Sequence, residues 1–249
     1  MISVLRSDHR KVISILLYKY ETHMHTSEGS LCSSSTAEEM AVKYRSEGYT
    51  GVFVTDHFFN GNCAVPKDLP WEEKVDRYCL GYEHAKAKGD EIGLDVFFGV
   101  EFGNGETDLL TYGIDKQWLK AHPEIMDMPF EEYVPFARSE GAMVIQAHPF
   151  REAPYIHKFV LVHGVDGIEI LNDSMRGDRS IFNDRAKIYA GWYDLPVTAG
   201  SDAHNTTDRF YGGGIALEHR IASPSDYISA VKERKISFLL SGGNHIELQ

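Results

Sequence analysis

Short apolar runs that end on a histidine or a carboxylate occur repeatedly along this chain of 249 residues, with helical segments between them. The run Gly51–His57 is an example, because it is apolar and β-branched until it ends on Asp56 and His57. Such runs are typical of parallel strands that are covered on both faces. Strands that alternate with helices predict right-handed crossovers and a mainly parallel sheet. Six or more such units in one domain favour a closed α/β barrel over an open sheet.

The predicted elements follow this alternation. We predict strands at Leu17–His25, Gly51–His57, Asp95–Phe102, Leu109–Ile114, Ala142–Ala147, Gly167–Leu171, 196–200, Gly214–Leu217 and Ser237–Leu240. We predict helices from Thr36 to Gly48 and at Trp71–Lys88, Phe130–Glu140, Ile181–Tyr193 and Pro224–Arg234. Residues 17–249 are expected to form one domain, because no flexible linker divides them. Residues 1–16 are expected to be an N-terminal extension or a short packing helix.

A pair of histidines ends the first predicted strand. His23 and His25 are separated by one residue, so on a strand their side chains project from the same face. Neutral imidazoles held side by side can bind a divalent metal. The pair alone is weak support for a metal site, because surface and core pairs of this kind are common.

Further metal-capable side chains stand at or near the ends of other predicted strands. In an α/β barrel the chemistry lies at the carboxyl ends of the strands, so a barrel would bring these side chains together. A mononuclear zinc site needs about three protein ligands and a water, and this set is larger. It therefore predicts two or three ions, two of which Glu101 could bridge. The set comprises His23, His25, His57, Glu101, His148, Asp202 and His204.

Composition restricts the class of partner. The formal net charge of -12 argues against a nucleic-acid polymer or an anionic membrane as a partner. It leaves room for a small phosphorylated substrate, because bound metal ions reverse the local charge of an acidic site. The three cysteines contain no Cys-x-x-Cys and predict a reducing cytoplasm rather than a disulfide framework. The apolar run Val12–Leu17 is too short to span a membrane.

The ordered motifs resemble those of the PHP (polymerase and histidinol phosphatase) family. The resemblance extends from about Tyr18 to Ser241, nearly the whole chain. It implies a distorted (β/α)7, TIM-like barrel with a centre of two to three zinc, manganese or iron ions, and usually phosphoesterase activity. The motifs that carry it are His23-Met-His25, Thr55-Asp56-His57, the Glu101 strand, Ala147-His148-Pro149 and Gly200-Ser-Asp202-Ala-His204.

The resemblance also implies how the ligands are shared. It implies that one ion is bound by a first set of four residues, which are His23, His25, Glu101 and Asp202. A second ion would share Glu101 and use His148, and a third would use His57 and His204. Many relatives complete the second and third sites with residues that this chain lacks.

Other residues of the chain are candidates for the incomplete sites. For the third site we predict Glu28, with Cys32 as second choice. The alternative is that the third ion binds weakly or only with substrate. For the second site the region offers Asp108 or, less favourably, His122.

Two arginines are candidate phosphate ligands. Arg151 follows the His-Pro motif and Arg176 follows the strand that ends at Asn172, and a guanidinium matches phosphate oxygens bidentately. The alternative for both is a solvated charge. Asn172, at the same barrel face, is a candidate for hydrogen bonding to the ligands.

The function favoured by this resemblance is metal-dependent hydrolysis of a small phosphorylated metabolite, such as histidinol phosphate or a nucleotide phosphate. A metal-bridging hydroxide would attack phosphorus, with Glu101 and Asp202 as catalytic residues, and Asp202 or a metal-bound water would protonate the leaving group. One alternative is a metal-dependent amide or lactone hydrolase. Another is a non-catalytic module that metal ions stabilise.

Overall fold

The computed structural model describes residues 2–8, 11–207, 212–242 and 244–247. The strands are β1 (Ile2–Asp8), β2 (Lys11–Met24), β3 (Gly51–Val54), β4 (Asp95–Gly103), β5 (Asp108–Tyr112), β6 (Met143–Ala147), β7 (Gly167–Asn172), β8 (Val197–Gly200), β9 (Gly214–Leu217), β10 (Phe238–Ser241) and β11 (Asn244–Glu247). The helices are α1 (Ala37–Ser46), α2 (Trp71–Tyr78), α3 (Leu80–Ile92), α4 (Lys116–Ala121), α5 (Phe130–Ser139), α6 (Ser180–Trp192) and α7 (Pro224–Lys232).

Seven consecutive strands form a barrel. Strands β2 to β8 pair in chain order, and β9, β10 and β11 continue the sheet from the other edge of β2. Past the ends of β8 and β2 the backbone pairs again: the Asp202 N–H donates to His23 O at 2.8 Å, and the His25 N–H donates to Ala203 O at 2.9 Å. These bonds join the last barrel strand to the first, which confirms the predicted distorted TIM-like barrel.

Strand β5 departs from the predicted parallel order. It pairs antiparallel with both β4 and β6, whereas β2–β3–β4 and β6–β7–β8 are parallel. Only residues 104–107 connect β4 to β5, and the Asn104 side chain accepts hydrogen bonds from the Glu106 and Thr107 N–H groups in this turn. A parallel crossover needs a dozen or more residues, so a turn this short forces the strand to reverse.

The start of the chain is a hairpin rather than a helix. Strand β1 pairs antiparallel with the first part of β2, from Ile2 opposite Leu17 to Asp8 opposite Lys11. The first barrel strand therefore begins at Lys11 and not at Leu17. Whether residues 1–16 are separate from the barrel domain stays a prediction.

Helix α1 begins with a capping box. The Thr36 side chain accepts a hydrogen bond from the Glu39 N–H, and the Glu39 carboxylate accepts one from the Thr36 N–H. This pair satisfies two N–H groups that would lack partners at the helix start. One face of the helix is buried, and its residues are Ala37, Met40, Ala41 and Tyr44.

The prediction of a single helix at Trp71–Lys88 is wrong, because the segment breaks at Cys79 into α2 and α3. The break brings Gly81 against the loop after β2, where an added Cβ would lie 2.3 Å from Thr26 Oγ1. The Tyr78 hydroxyl donates to Asp56 O at 2.5 Å from the other side of the break. The two short helices thus hold the loops that carry His25 and His57.

Aromatic side chains fill the barrel beneath the ends of the strands. The rings of Phe53, Tyr112 and Tyr227 lie with centroids 4.8–5.3 Å apart. The Tyr112 hydroxyl donates to Thr22 O at 2.8 Å, between strands β5 and β2, which are not neighbours in the sheet. This hydrogen bond crosses the barrel interior and fixes the backbone of Thr22, the residue before His23. Among the described residues, no helix has the length and apolar character needed to cross a membrane.

Candidate metal centre

Glu101 lies at the centre of the candidate site. Its side chain is fully buried at the end of β4, surrounded by four of the predicted histidines. Oε1 lies 3.2 Å from His23 Nε2 and 3.3 Å from His148 Nε2. Oε2 lies 2.6 Å from His57 Nδ1 and 3.4 Å from His25 Nε2. Both oxygens therefore face ring nitrogens that could share a cation with them.

The Oε2 atom of Glu101 is a buried oxygen that accepts no hydrogen bond, although His57 Nδ1 is close. A buried carboxylate oxygen without a partner is costly in an apolar environment. A divalent cation between Oε2 and the neighbouring imidazoles would remove that cost. This observation indicates that the residues fit a metal ion.

The end of β8 adds Asp202 and His204. Asp202 Oδ1 lies 3.2 Å from His25 Nε2 and 3.6 Å from both His23 Nε2 and His204 Nδ1. The His204 Nδ1 lies 2.8 Å from the Asp202 carbonyl oxygen, which can accept its proton and leave Nε2 as the free ligand atom. The loop after β8 thus brings a carboxylate to the histidine pair of β2.

Two of the candidate ligands have a left-handed backbone. His148 has φ of 26° and Asp202 has φ of 56°. Non-glycine residues in this region cost about 1–3 kcal/mol each, and such strain is concentrated at functional sites. The backbone strain therefore coincides with the chemistry predicted from the sequence.

Four groups of side chains within the described residues could each hold a metal ion. In every group the potential ligand atoms lie within 4.8 Å of one another. Imidazole and carboxylate donors together suit zinc, manganese and iron. The groups are His25, His57 and His204; His23, His25 and Glu101; His23, His148 and Glu169; and Glu101, Asp108 and His148.

The histidines and carboxylates of the site shift one another's pKa values strongly. Burial alone would lower the pKa of His23, but the carboxylates of Glu169, Asp202 and Glu101 raise it well above its usual range. Burial would raise the pKa of Glu101, yet His57 and His23 hold it well below its usual range. A metal ion bound here must displace protons from imidazoles, so binding would release protons.

Glu169 is a site residue whose role the sequence reasoning missed. Its Oε1 lies 2.9 Å from His23 Nδ1, while its Oε2 accepts hydrogen bonds from the His148 N–H at 3.1 Å and from Asn172 Nδ2 at 3.0 Å. A carboxylate on one ring nitrogen orients the other nitrogen toward a metal. Asn172 also donates to Asp202 Oδ2 at 3.4 Å, which agrees with its expected supporting position. The only sequence signal for Glu169 was a charge inside an apolar strand.

Glu21 was missed as well. Its Oε1 accepts three backbone N–H groups, from Thr22, His23 and Ser201, each at 2.9 Å. Burial raises the pKa of Glu21, and these hydrogen bonds oppose that rise. One carboxylate thereby fixes the backbone of both the His23 motif and the Asp202 motif.

The structure does not bring Glu28 to the cluster. The Glu28 carboxylate accepts hydrogen bonds from the Ala37 N–H at 3.0 and 3.2 Å, at the start of α1, and lies 3.2 Å from His84 Nδ1. A carboxylate is favourable there because the first N–H groups of a helix lack partners. The hydrogen bonds from the Ala37 N–H hold the Glu28 carboxylate at the start of α1, away from the cluster.

Cys32, the second choice for the third site, is an exposed residue of the loop after β2. Burial would raise the pKa of the Cys32 thiol, but hydrogen bonds with His204 and His57 lower it to about 6. A thiol with such a pKa is largely thiolate at neutral pH. Cys32 nevertheless belongs to none of the four groups whose ligand atoms lie within 4.8 Å of one another.

The two candidates for the second site, Asp108 and His122, lie in different parts of the structure. Asp108 Oδ2 lies 3.9 Å from His148 Nε2, within the group that also contains Glu101. His122 instead pairs with Glu124 at 2.9 Å beyond α4 and belongs to none of the four groups. Asp108 is thus the residue that the fold brings to this side of Glu101.

The two candidate arginines differ in position. Arg151 lies at the edge of the cluster, with Nη2 3.1 Å from Asp108 Oδ2 and Nη1 3.9 Å from Asp202 Oδ2. Its Nε is buried and donates no hydrogen bond. Arg176 is bound by Asp173, through the carboxylate and the carbonyl oxygen. Arg151 therefore contacts the candidate ligands directly, whereas Arg176 contacts Asp173 instead.

One family model matches a segment of this chain that carries two of the candidate ligands. Residues 180–208, which include α6, β8, Asp202 and His204, match the PHP-associated family model PHP_C. No match was found among curated proteins.

Three solved structures share the fold. A two-domain protein from Bacteroides vulgatus that contains a PHP-like metal-dependent phosphoesterase, itself assigned by prediction, is 13% identical with a TM-score of 0.67. The likeness covers 90% of this chain and 66% of that one. A protein from Bifidobacterium adolescentis, assigned as a metal-dependent phosphoesterase, is 15% identical with a TM-score of 0.55 and coverages of 87% and 96%. An amidohydrolase from Chromobacterium violaceum, with bound sulfate and no metal, is 15% identical with a TM-score of 0.53 and coverages of 90% and 98%.

At these identities the likeness to solved structures shows the fold, while the ordered motifs and the match at residues 180–208 concern the site itself. The barrel brings His23, His25, His57 and His148 around Glu101. This chain therefore shares the fold of PHP-like proteins, and its residues 180–208 match the PHP-associated model.

Proposed function

We propose that this protein is a metal-dependent phosphoesterase that hydrolyses a small phosphorylated metabolite, such as histidinol phosphate or a nucleotide phosphate. The observation that carries the proposal is the buried Glu101 carboxylate, which faces four imidazoles while one of its oxygens accepts no hydrogen bond. Such a cluster beside the partly buried guanidinium of Arg151 suits an anionic substrate.

The proposed ligands follow the geometry. His23, His25, Glu101 and Asp202 would hold one ion, and Glu101, Asp108 and His148 a second. A third ion would use His57 and His204. Divalent ions bound there would supply Lewis acidity, which lowers the pKa of water and neutralises charge on a phosphoryl group.

Arg151 is the residue that we propose to bind the phosphoryl group. Its side chain is 17% exposed, so it can reach substrate while remaining partly shielded from water. The buried Nε and the adjacent Nη groups form a planar donor set that matches two phosphate oxygens. Arg176 stays a prediction, because its guanidinium would first have to leave Asp173.

Asp202 is the residue that we propose to move the proton. Burial alone would raise the pKa of Asp202, but His23, His25 and His204 hold it well below its usual range, so the carboxylate is ionised. Its Oδ2 can then accept a proton from the attacking water and pass it to the leaving oxygen. Asn172 Nδ2 and Ser174 Oγ, at 3.4 and 3.5 Å from Oδ2, fix its orientation.

A metal-dependent amide or lactone hydrolase is the second candidate, because one structural neighbour is an amidohydrolase. The same donors could polarise a carbonyl group instead of a phosphoryl group. A phosphate-binding arginine at the edge of the cluster is the feature that this alternative does not require.

The test is a panel of phosphomonoesters, phosphodiesters, amides and lactones, assayed on protein of known metal content. We expect the protein to hydrolyse phosphoesters. Arg151→Ala should lose about 100-fold in kcat/KM, since removing one partner of a charged pair costs about 2–3 kcal/mol. Arg185→Ala should change kcat/KM little. Arg185 is the matched control, because it is an exposed arginine paired with Glu152 at 2.8 Å. Amide or lactone turnover that is insensitive to Arg151→Ala would favour the second candidate, and no turnover by the metal-loaded protein would contradict both.

A further inference from the structure

The connection from β6 to β7 is long and irregular. Parallel strands are usually joined by a helix, but residues 148–166, all of which the structure describes, contain none. In compact domains a loop of more than about 12–15 residues without secondary structure is usually functional. Gln146 holds the later part of this loop, because it donates to Val160 O at 2.6 Å and accepts from the Val162 N–H at 3.0 Å. The part that precedes these bonds, residues 151–159, begins at the carboxyl end of β6.

Within this segment, Tyr155 lies over the guanidinium group of Arg151. The guanidinium carbon of Arg151 is 5.9 Å from the centroid of the Tyr155 ring. A ring in this position covers one face of the guanidinium group, whereas phosphate oxygens bind at its N–H edge. A phosphoryl group bound to Arg151 is therefore close to Tyr155, and so is the organic substituent that the phosphoryl group carries.

The same segment exposes aromatic side chains and borders a cavity. Tyr155 is 55% exposed and Phe159 is 48% exposed. Residues of the segment, among them Ile156 and Phe159, line a cavity of about 490 Å³. Sites that bind small organic molecules have volumes of about 300–1,000 Å³ and mostly apolar walls. Next to an arginine that binds phosphate, such a surface suits the organic part of a phosphoester.

We propose that Tyr155 determines substrate specificity by packing against a planar ring in the leaving group of the phosphoester. This inference rests on the proposed phosphoesterase function and names the class of its substrate, phosphate esters of alcohols that carry an aromatic or heteroaromatic ring. Tyr155 supplies an apolar face for that ring while Arg151 binds the phosphoryl oxygens. The contact is the same in the bound substrate and in the transition state, so it should lower KM and leave kcat nearly unchanged.

The experiment compares 2-phenylethyl phosphate with 2-cyclohexylethyl phosphate on metal-loaded protein. Both are esters of primary alcohols with similar chemical reactivity, but only the first carries a planar ring. We expect the wild-type protein to prefer 2-phenylethyl phosphate by about 5-fold in kcat/KM, the size of effect that one aromatic contact gives. Tyr155→Ala should abolish this preference through a higher KM for 2-phenylethyl phosphate, whereas Tyr155→Phe should keep it.

Tyr193→Ala is the matched control, because Tyr193 is an exposed tyrosine after α6 whose ring pairs with that of Tyr189 at 4.9 Å. This variant should keep the wild-type preference. Wild-type protein that hydrolyses both esters equally well would overturn the role of Tyr155 without need of any variant. The same conclusion would follow from a Tyr155→Ala protein that keeps the preference or loses kcat alone, and in each case the phosphoesterase function would stand. Protein that hydrolyses neither ester nor any other phosphoester would overturn both.

Discussion

At the scale of single residues, Glu101 is the side chain whose charge most affects the site. A neutral amide has nearly the same shape but bridges two cations poorly. We therefore expect Glu101→Gln to lose more than ~100-fold in kcat/KM, beyond the loss typical of residues that only support a ligand. Enzyme kinetics on protein of measured metal content tests this prediction.

The matched control is Glu106→Gln. Glu106 belongs to the turn after the same strand, and its carboxylate pairs with Lys158 at 3.2 Å on the surface, where such pairs contribute little. This variant should retain activity. Glu101→Gln protein with a full complement of metal and near-normal turnover would show that Glu101 is not the bridge.

Glu169 gives a second prediction at this scale, one that concerns affinity. Its Oε1 fixes the ring of His23 through Nδ1 at 2.9 Å. Glu169→Gln should weaken metal binding by about 10–100-fold, the usual effect of changing a residue that orients a ligand. Competition with a chromophoric chelator measures the constant directly. An unchanged constant would mean that the orientation of His23 does not depend on this carboxylate.

The sequence predicted the individual ligands unevenly, for physical reasons. The positions of His23, His25 and His148 followed from strand periodicity, because a side chain at the end of a barrel strand has few directions available. Glu28 lies in a loop, where spacing does not determine direction, and the unpaired N–H groups of α1 attract its carboxylate. Glu21 lay inside a strand, and its role depends on Ser201, which is distant in sequence.

At the scale of secondary-structure elements, the pairing of β2 with β9 is the contact that positions the histidine strand. Gly214 has φ of 118°, and an added Cβ would lie 2.1 Å from Tyr20 O. Gly214→Ala should therefore destabilise the protein by about 3 kcal/mol, through backbone strain and steric overlap together. Denaturant unfolding measures the change in free energy of unfolding.

Gly105→Ala is the control for this prediction. Gly105 also has positive φ, at 86°, but nothing lies within 4 Å of an added Cβ. Its substitution should cost only the strain of about 1 kcal/mol. Equal effects of the two substitutions would show that the close approach of β9 to Tyr20 does not matter for stability.

The elements themselves were largely predictable, and the two exceptions have different causes. The predicted start of α1 at Thr36 agrees with the structure, where Thr36 is the N-cap residue. The reversal of β5 follows from the short connection at residues 104–107, which the assumed alternation of strands and helices overlooked. The break at Cys79 could not be predicted, because it depends on tertiary packing. The break, for instance, accommodates Gly81 against Thr26, a contact between segments that are distant in the sequence.

At the scale of the whole molecule, bound ions should contribute to stability. Without them the fold buries the carboxylates of Glu101, Asp108 and Asp202 close together. Ions that bind only the folded state at 100 times their dissociation constant add about 2.7 kcal/mol to the free energy of unfolding. Calorimetry should therefore show a lower Tm after chelation and recovery on adding zinc or manganese. A Tm that is unaffected by chelation would argue against tightly bound ions.

The most direct test of the central claim is the rate of phosphoester hydrolysis measured against the number of ions bound per chain. Metal-free protein is titrated with zinc or manganese, and both quantities are measured on the same samples. The cluster around Glu101 predicts no hydrolysis without metal and activity that appears as the second ion binds, since the carboxylate faces donors on both of its oxygens. Hydrolysis that is equally fast without metal, or fully loaded protein that hydrolyses no phosphoester, would contradict the account.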